Sequence, residues 1–316
     1  MHAAMLGSGV MHGMVFAAGL GTRLLPLTER LPKPVVPLMN RPLASYALER
    51  LAAAGVTRCA VNTHHLAEEV PRALEGFVPE GMEVVFVHEP ELLGTGGGLR
   101  NGLAALGPTD EPILVMNGDI FFWPDFEEAL ILHERLGAVA TTILRPDPRA
   151  KELGALEVDA DSRVRRMLGQ PEAVEVPLTE HMFTGVHVLS PRALEDLPER
   201  GCVIRHAYRR WVDDPEVTVG GFVDLGDWRD LGTPAEYLRA HLDLLDGRLR
   251  WPTEDFEEES TVVLGEGAYV PEDVKLRRCV VWPGTTVTDH AHDAILAPHA
   301  TVWAHGAPLG ATELPR

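Results

Sequence analysis

Cysteine is scarce in this sequence of 316 residues. Cys59, Cys202 and Cys279 lie far apart and lack the paired spacing of a zinc site. A disulfide framework needs more cysteines than this, so the composition favours a reducing compartment, and we predict a cytoplasmic protein. No apolar run approaches the roughly 20 residues that cross a bilayer, and residues 1–13 lack the pattern of a signal peptide. We therefore expect no membrane partner.

Positive charge is also in short supply. The chain has 28 Lys and Arg against 47 Asp and Glu, which gives a formal net charge of −19. A surface of this sign repels nucleic acid and anionic membranes, so we expect no nucleic-acid partner. A phosphorylated substrate would have to be held by local groups, namely backbone amides, a few placed cations or a bound metal.

Short apolar runs alternate with amphipathic stretches in the first half of the chain, which is typical of β-α units around a parallel sheet. We predict strands at residues 14–18, 58–62, 83–88 and 113–116, with helices at 43–54, 66–74 and 97–106. The second half is less regular, with strands predicted at 138–144, 154–158, 182–189 and 217–223. The predicted fold is therefore α/β, a doubly wound, mostly parallel but mixed sheet of Rossmann-like type.

The pattern changes near residue 250. An acidic run at residues 254–259 is followed by Leu264, Val270, Leu276 and Trp282, which recur every six residues. This period predicts a short, left-handed β-helix-like tail at 251–316, after an extension at 1–13 and a main domain at 14–250. Irregular strands that cover the main domain are the alternative. The tail could pair two subunits as a homo-oligomer or cap its own domain, and the sequence leaves both open.

A glycine-rich segment follows the first predicted strand. Residues 17–23 read AAGLGTR, and the two glycines permit backbone amides to point at a phosphate group while Arg23 adds a cationic fork. The third glycine of a dinucleotide fingerprint is missing, which disfavours nicotinamide binding. Further on, Lys33 stands between two prolines that restrict its backbone, so its ammonium can be delivered to one place. A rigid surface loop is the alternative interpretation.

The run from Ala17 to Pro37 resembles the signature of the sugar-1-phosphate nucleotidyltransferases, also called NDP-sugar pyrophosphorylases. Residues 93–99 resemble that family's base-recognition loop, 117–119 its first metal-binding element and 228–234 its second. The resemblance implies an enzyme of nucleotide-sugar biosynthesis that converts a nucleoside triphosphate and a sugar 1-phosphate into an NDP-sugar and pyrophosphate. Magnesium is the only cofactor implied.

The reaction needs orientation and charge neutralisation rather than a side-chain nucleophile, because a sugar phosphate oxygen attacks the α-phosphorus in line. By resemblance, Arg23 would hold the triphosphate and Lys33 the transferring phosphates. Asp119 and Asp230 would bind Mg²⁺, which prefers oxygen ligands and keeps waters. The resemblance also implies nucleotide contacts by Ala18, Gly19, Gly21, Thr22, Gly96, Gly97 and Gly118.

The sugar side departs from the family pattern. Many members carry Glu-Lys-Pro where this chain has Gly169-Gln170-Pro171, so the carboxylate for the sugar and the lysine for its phosphate are both missing. Gly154 and Thr184 are carried over as sugar contacts. The sequence leaves open GTP with mannose 1-phosphate and UTP with N-acetylmuramate 1-phosphate. A catalytically silent regulatory subunit is a further alternative, whereas an oxidoreductase is disfavoured because residues 62–65 offer no carboxylate for a cofactor ribose.

Overall fold

The computed structural model describes residues 10–253 and 261–304, so the predicted acidic run and most of the predicted extension lie outside the described residues. The strands are β1 (Met11–Phe16), β2 (Pro37–Leu38), β3 (Arg41–Pro42), β4 (Val56–Thr63), β5 (Glu83–His88), β6 (Ile113–Asn117), β7 (Ile120–Phe122), β8 (Ala140–Arg145), β9 (Ala155–Val158), β10 (Val164–Met167), β11 (Thr179–Leu189), β12 (Val219–Val223), β13 (Trp228–Asp230), β14 (Val262–Leu264), β15 (Leu276–Val281), β16 (Ala291–Ala297) and β17 (Ala300–Trp303).

Seven α-helices occur in the described parts of the chain, and several begin at recognisable caps. The helices are α1 (Leu43–Ala53), α2 (Glu69–Leu74), α3 (Gly94–Leu106), α4 (Phe126–Leu136), α5 (Ala150–Leu153), α6 (Arg209–Asp213) and α7 (Pro234–Leu245). In α7, Thr233 and Glu236 form a capping box and Pro234 occupies the first turn, which fixes where the helix begins. Within residues 10–253 and 261–304, no helix has the length and apolarity to cross a membrane.

The central sheet is mixed, as predicted. Strands β5, β4, β1 and β6 lie side by side in parallel, and β11 joins the edge of β6 antiparallel. Strand β8 continues antiparallel to β11, and β12 is parallel to β8. The first part of β11 pairs instead with β9, which carries β10. The predicted α/β fold with a mixed central sheet is therefore confirmed.

Both faces of the sheet are covered, which explains why its central strands are apolar throughout. On one face α1 and α4 pack over the sheet in a cluster that includes Val15, Leu48 and Phe126. On the other face α3 packs over the sheet, with its Leu103 in the same cluster as Met14 of β1. The carboxyl ends of β1, β4, β5 and β6 consequently meet at one uncovered edge, where ligands bind in open α/β sheets.

Several predicted boundaries differ from the structure, and two of them concern the elements that flank the glycine-rich segments. The first strand begins at Met11, not at residue 14, because Met11 is buried and pairs with Val56, so residues 11–13 belong to the sheet. Helix α3 begins at Gly94, not at residue 97, although glycine disfavours helices. Tertiary contacts outweigh this propensity: the Glu89 carboxylate accepts the Leu93 N–H at 3.0 Å, just ahead of the helix.

The C-terminal segment forms a separate four-stranded sheet. Strands β14, β15 and β16 run parallel, which agrees with stacked coils, but β17 is antiparallel to β16. Val262 of β14 pairs with Cys279 of β15, and Leu276 of β15 pairs with Ala291 of β16. The number of residues between the paired positions differs in these two cases, so the six-residue period is not kept through the segment. A left-handed coil and the domain boundary near residue 250 stay predictions.

The C-terminal sheet shares a core with the main part of the chain. Trp282 and Ile295 are buried in the same cluster as Leu24, Leu231 and Tyr237. The indole of Trp282 donates to the Tyr237 hydroxyl at 3.0 Å, and that hydroxyl donates to the carbonyl of Pro37. The segment therefore covers its own main domain, and the homo-oligomer stays a prediction.

Candidate active site

A cleft of about 430 Å³ opens at the carboxyl edge of the sheet. It begins at the end of β1, runs past the ends of β4 and β6, and reaches the first turn of α3. Its walls combine backbone of the glycine-rich loop with charged side chains from three separate parts of the chain. The lining residues are Phe16, Ala18, Gly19, Leu20, Gly21, Thr22, Arg23, Lys33, Pro34, Asn62, Glu89, Leu92, Gly94, Thr95, Asn117, Asp119 and Gly232.

The glycine-rich loop uses its two glycines differently. Gly21 has φ +63°, and a Cβ at this position would lie 2.9 Å from the Cβ of Lys33 and 3.1 Å from Cγ2 of Thr28. Gly21 therefore permits both a left-handed turn and close packing of the Lys33 segment. No heavy atom lies within 4 Å of a Cβ added at Gly19, so this glycine leaves open space on the cleft.

The Lys33 ammonium lies between two carboxylates. Its Nζ is 2.9 Å from Oδ2 of Asp119 and 3.3 Å from Oδ1 of Asp230. The lysine side chain is only 6% exposed, whereas the two aspartates keep 35% and 22% of their side-chain surface. The ammonium is therefore held by two carboxylates that both keep exposed surface, and Asp119 lines the cleft.

Strand pairing explains why two aspartates so far apart in sequence meet here. Asp119 stands in the turn that joins β6 to β7, and Asp230 ends β13. Strands β7 and β13 pair antiparallel, with Asp230 opposite Ile120. This two-stranded ribbon brings the two carboxylates to the same lysine, and the capped start of α7 fixes the chain directly after Asp230.

Arg23 completes the charged group from the solvent side. Both of its terminal nitrogens lie 3.4 Å from Oδ2 of Asp230, and its side chain is 64% exposed. A Cβ at Gly232 would come within 2.7 Å of the guanidinium, so the arginine lies directly over this glycine. Exposed ion pairs contribute little to stability, and the guanidinium can exchange this partner for a phosphate group.

The far end of the cleft contains a buried polar pair that the sequence reasoning did not identify. The Asn62 side chain accepts the Ala17 N–H at 2.8 Å and donates to Oε1 of Glu89 at 2.7 Å. Glu89 is 1% exposed, and its second oxygen accepts the Leu93 N–H. The pair ties the start of the glycine-rich loop to the start of α3. Polar residues at the ends of β4 and β5 were the available signal.

Gly96 and Gly97 do not line the cleft, and their predicted role as base contacts stays a prediction. A Cβ at Gly96 would lie 2.5 Å from Cγ of Pro198, and one at Gly97 would lie 2.3 Å from the carbonyl oxygen of Glu199. Both glycines are buried because a neighbouring loop packs directly on the first turns of α3. Gly94 and Thr95, directly before them in the chain, line the cleft instead.

A family model described as nucleotidyl transferase matches residues 12–247, which include every cleft residue described above. The chain belongs to the nucleotidyl transferase family. A mannose-1-phosphate guanylyltransferase of Mycobacterium tuberculosis is 30% identical over 238 residues, which is 74% of this chain and 64% of that protein. A mannose-1-phosphate guanyltransferase of Hypocrea jecorina is 28% identical over 310 residues, 89% of this chain and 84% of that protein.

Solved structures of other proteins share the fold. A UDP-glucose pyrophosphorylase from Acinetobacter baumannii superposes with a TM-score of 0.59 at 22% identity, covering 75% of this chain and 94% of that one. HddC from Yersinia pseudotuberculosis, complexed with GMP-PN, superposes with a TM-score of 0.58 at 23% identity, covering 73% and 98%. At these identities the likeness concerns the fold alone.

Two other residues of this nucleotidyl transferase that were predicted to contact a substrate form hydrogen bonds within the fold. Gly118 is buried, its N–H donates to the Phe16 carbonyl at 2.9 Å, and a Cβ there would lie 2.8 Å from Val15. Thr184 was predicted at the sugar, but it is 1% exposed and its hydroxyl donates to the Ile143 carbonyl at 2.7 Å. Their predicted roles at the nucleotide and at the sugar stay predictions.

The remaining predicted sugar contact, Gly154, ends helix α5 with φ +103°, a conformation that favours glycine. It is partly exposed, and its role at the sugar stays a prediction. The turn at Gly169 and Gln170, where the family's charged pair is missing, is closed by backbone hydrogen bonds between Met167 and Gln170. No charge enters the site from this turn.

The donor set of Asp119 and Asp230 fits Mg²⁺ in a nucleotidyl transferase. Within the described residues no group of three or more His, Cys, Asp and Glu is placed to hold a metal ion. Mg²⁺ is commonly bound by one or two carboxylates together with substrate phosphates and waters, so two aspartates that face a phosphate-binding loop are sufficient. Both carboxylates meet the same ammonium here, which places their oxygens close together.

Proposed function

We propose that this chain is a magnesium-dependent, cytoplasmic sugar-1-phosphate nucleotidyltransferase that releases pyrophosphate from a nucleoside triphosphate. One observation carries the proposal: the Lys33 ammonium lies between Asp119 and Asp230 at the mouth of a glycine-rich loop. This arrangement offers donors for a triphosphate, a fixed cation for the reacting phosphate and two carboxylates for a metal.

Each part of the cleft has a task in an in-line phosphoryl transfer. Backbone amides of the loop at Gly19 and Gly21 bind the triphosphate, and Arg23 stabilises the negative charge of the leaving pyrophosphate. The Lys33 ammonium neutralises charge that develops at the α-phosphate in the transition state. When bound by Asp119 and Asp230, Mg²⁺ supplies further charge neutralisation. No side-chain nucleophile is needed, because the attacking oxygen belongs to the sugar phosphate.

For the substrates we propose GTP with mannose 1-phosphate, with UTP and N-acetylmuramate 1-phosphate as the second candidate. The names of the relatives from Mycobacterium tuberculosis and Hypocrea jecorina support the first pair. The uncharged turn at Gly169 and Gln170 supports the second, because it departs from members that bind neutral sugars through Glu-Lys-Pro.

The test is pyrophosphate release by the purified protein with Mg²⁺, crossing five nucleoside triphosphates with a panel of sugar 1-phosphates. We expect one pair to turn over and Asp119→Asn to abolish turnover. Asp161→Asn changes an exposed aspartate in a distant turn and serves as the matched control. If no pair turns over although a sugar nucleotide binds, the catalytically silent subunit becomes the better account.

A further inference from the structure

A second pocket of about 340 Å³ borders Asp230, whose carboxylate bonds with two residues of the nucleotide cleft. Asp230 therefore links the two cavities. We call the second cavity the arginine pocket. Its lining includes Arg145, Arg149, Trp228, Arg229, Asp230 and Arg239.

The charges in the arginine pocket balance formally, because four carboxylates line it beside the four guanidinium groups. An anion would therefore be held by individual donors rather than by the net field. Arg229 is paired with Asp243 at 3.5 Å, and Arg145 donates to the carbonyl of Gly226 at 3.1 Å.

Arg149 is the arginine that the fold orients. Its Nε and Nη2 each lie 3.0 Å from a different oxygen of Asp147, so one edge of the guanidinium is held by a bidentate ion pair. The third nitrogen, Nη1, lies 3.9 Å from Glu236 at the start of α7. The hydrogen bond that Arg149 donates to Asp147 raises the pKa of Arg149, and the charges of Glu236 and Asp230 add to this effect.

The position of Arg149 suits a phosphate that approaches Asp230. In the proposed reaction the sugar phosphate must contact the α-phosphorus, which lies beside Lys33 and Asp230, so its own charge needs a cation there. The turn at Gly169 and Gln170 provides none. Arg149 is 45% exposed while Asp147 is only 10% exposed, so the partner is buried and the guanidinium keeps accessible surface.

We propose that Arg149, oriented by Asp147, binds the phosphate of the sugar 1-phosphate and takes the place of the lysine missing at Gln170. The arginine pocket then accommodates the sugar phosphate, while the nucleotide occupies the cleft on the other side of Asp230. This inference rests on the proposed function. A planar guanidinium suits a phosphate because it can donate from a rigid edge, and Asp147 limits the entropy lost on binding.

The test compares Arg149→Gln, Arg149→Lys and Asp147→Asn with the wild type in steady-state kinetics, varying each substrate in turn. For Arg149→Gln we expect the KM for the sugar 1-phosphate to rise about tenfold to a hundredfold, the loss that follows removal of one charge-assisted hydrogen bond. The KM for the nucleoside triphosphate stays within twofold. Arg149→Lys restores part of the loss, and Asp147→Asn produces an intermediate rise.

Arg165→Gln is the matched control, because Arg165 also pairs with an aspartate, Asp159, and its side chain is 42% exposed. We expect both KM values of this variant to equal those of the wild type. Equal rises in both KM values for Arg149→Gln, or no rise at all, would overturn the inference while the wild type remains active. An inactive wild type would instead contradict the proposed function, so the two failures are distinguishable.

Discussion

Replacing Lys33 with methionine removes one charge from the centre of the site while it keeps most of the side-chain length. The ammonium is nearly buried and contacts Asp119 and Asp230 at 2.9 and 3.3 Å. In Lys33→Met the two carboxylates lose their shared counter-charge, and the reacting phosphate loses a fixed cation. We therefore expect both the activity and the stability of the protein to change.

The activity should fall by about 100- to 1000-fold in kcat/KM, because a preorganised donor aimed at developing charge contributes about 2.7–4 kcal/mol. The free energy of unfolding should fall as well, by roughly 3 kcal/mol in chelator, since removal of one partner leaves partly buried charges uncompensated. Mg²⁺ should restore part of this stability, because it binds the same two carboxylates only in the folded state.

Pyrophosphate release measures the first effect, and urea unfolding with EDTA or with Mg²⁺ measures the second. Lys275→Met is the control, since Lys275 is exposed on the C-terminal segment, and we expect it to match the wild type in both assays. A Lys33→Met enzyme that keeps its kcat/KM within about threefold of the wild type would refute the assignment of Lys33 to the transferring phosphate.

Three further substitutions test the packing around Gly97, the binding of the nucleotide at Gly19 and the protonation of His241. Gly97→Ala places a Cβ 2.3 Å from the Glu199 carbonyl and should lower the free energy of unfolding by about 1–3 kcal/mol in urea. Gly19→Ala meets no atom within 4 Å, so its urea midpoint should stay unchanged while the KM for the nucleotide rises. Burial lowers the pKa of His241 to about 4, so the unfolded state alone gains a proton as the pH falls through 6.5. Unfolding at pH 5 should therefore cost about 2 kcal/mol less than at pH 7, and this share of the pH dependence should vanish in His241→Gln. An equal pH dependence in both proteins, a stable Gly97→Ala or an unchanged nucleotide KM in Gly19→Ala would contradict the respective expectation.

Residues whose task depends on local sequence were predictable. Gly21, Lys33 and Asp119 each follow a strand or a proline-restricted turn, and the structure brings all three to one cleft. Asp230 joins them through a strand pair that the sequence did not reveal, although its own motif did. The charged residues of the site could therefore be predicted from motifs, because each motif lies within one segment of the chain.

Residues whose task depends on distant packing were not predictable. A glycine that contacts a base and a glycine that packs against a loop look the same in sequence, so the packing of Gly97 against Glu199 could not be predicted. Likewise, nothing near Thr184 indicates that its hydroxyl bonds to Ile143 in a neighbouring strand. The pairing of Asn62 with Glu89 could not be predicted because neither residue belongs to a motif, and only the fold brings them together.

The six-residue period of the C-terminal segment suggested a separate unit, but its buried side chains link it to the site. Leu24 follows Arg23 directly, and Leu231 follows Asp230, so the residues beside two charged groups point to the opposite side of the chain. There they pack with Trp282 of the C-terminal sheet in a single apolar cluster. The apolar side chains of Leu24 and Leu231 are held in this cluster, and each is the direct chain neighbour of a charged residue of the site. The packing of the C-terminal sheet therefore restrains the backbone positions of Arg23 and Asp230. The C-terminal segment thus contributes to the geometry of the site, although none of its described residues, 261–304, lines the cleft.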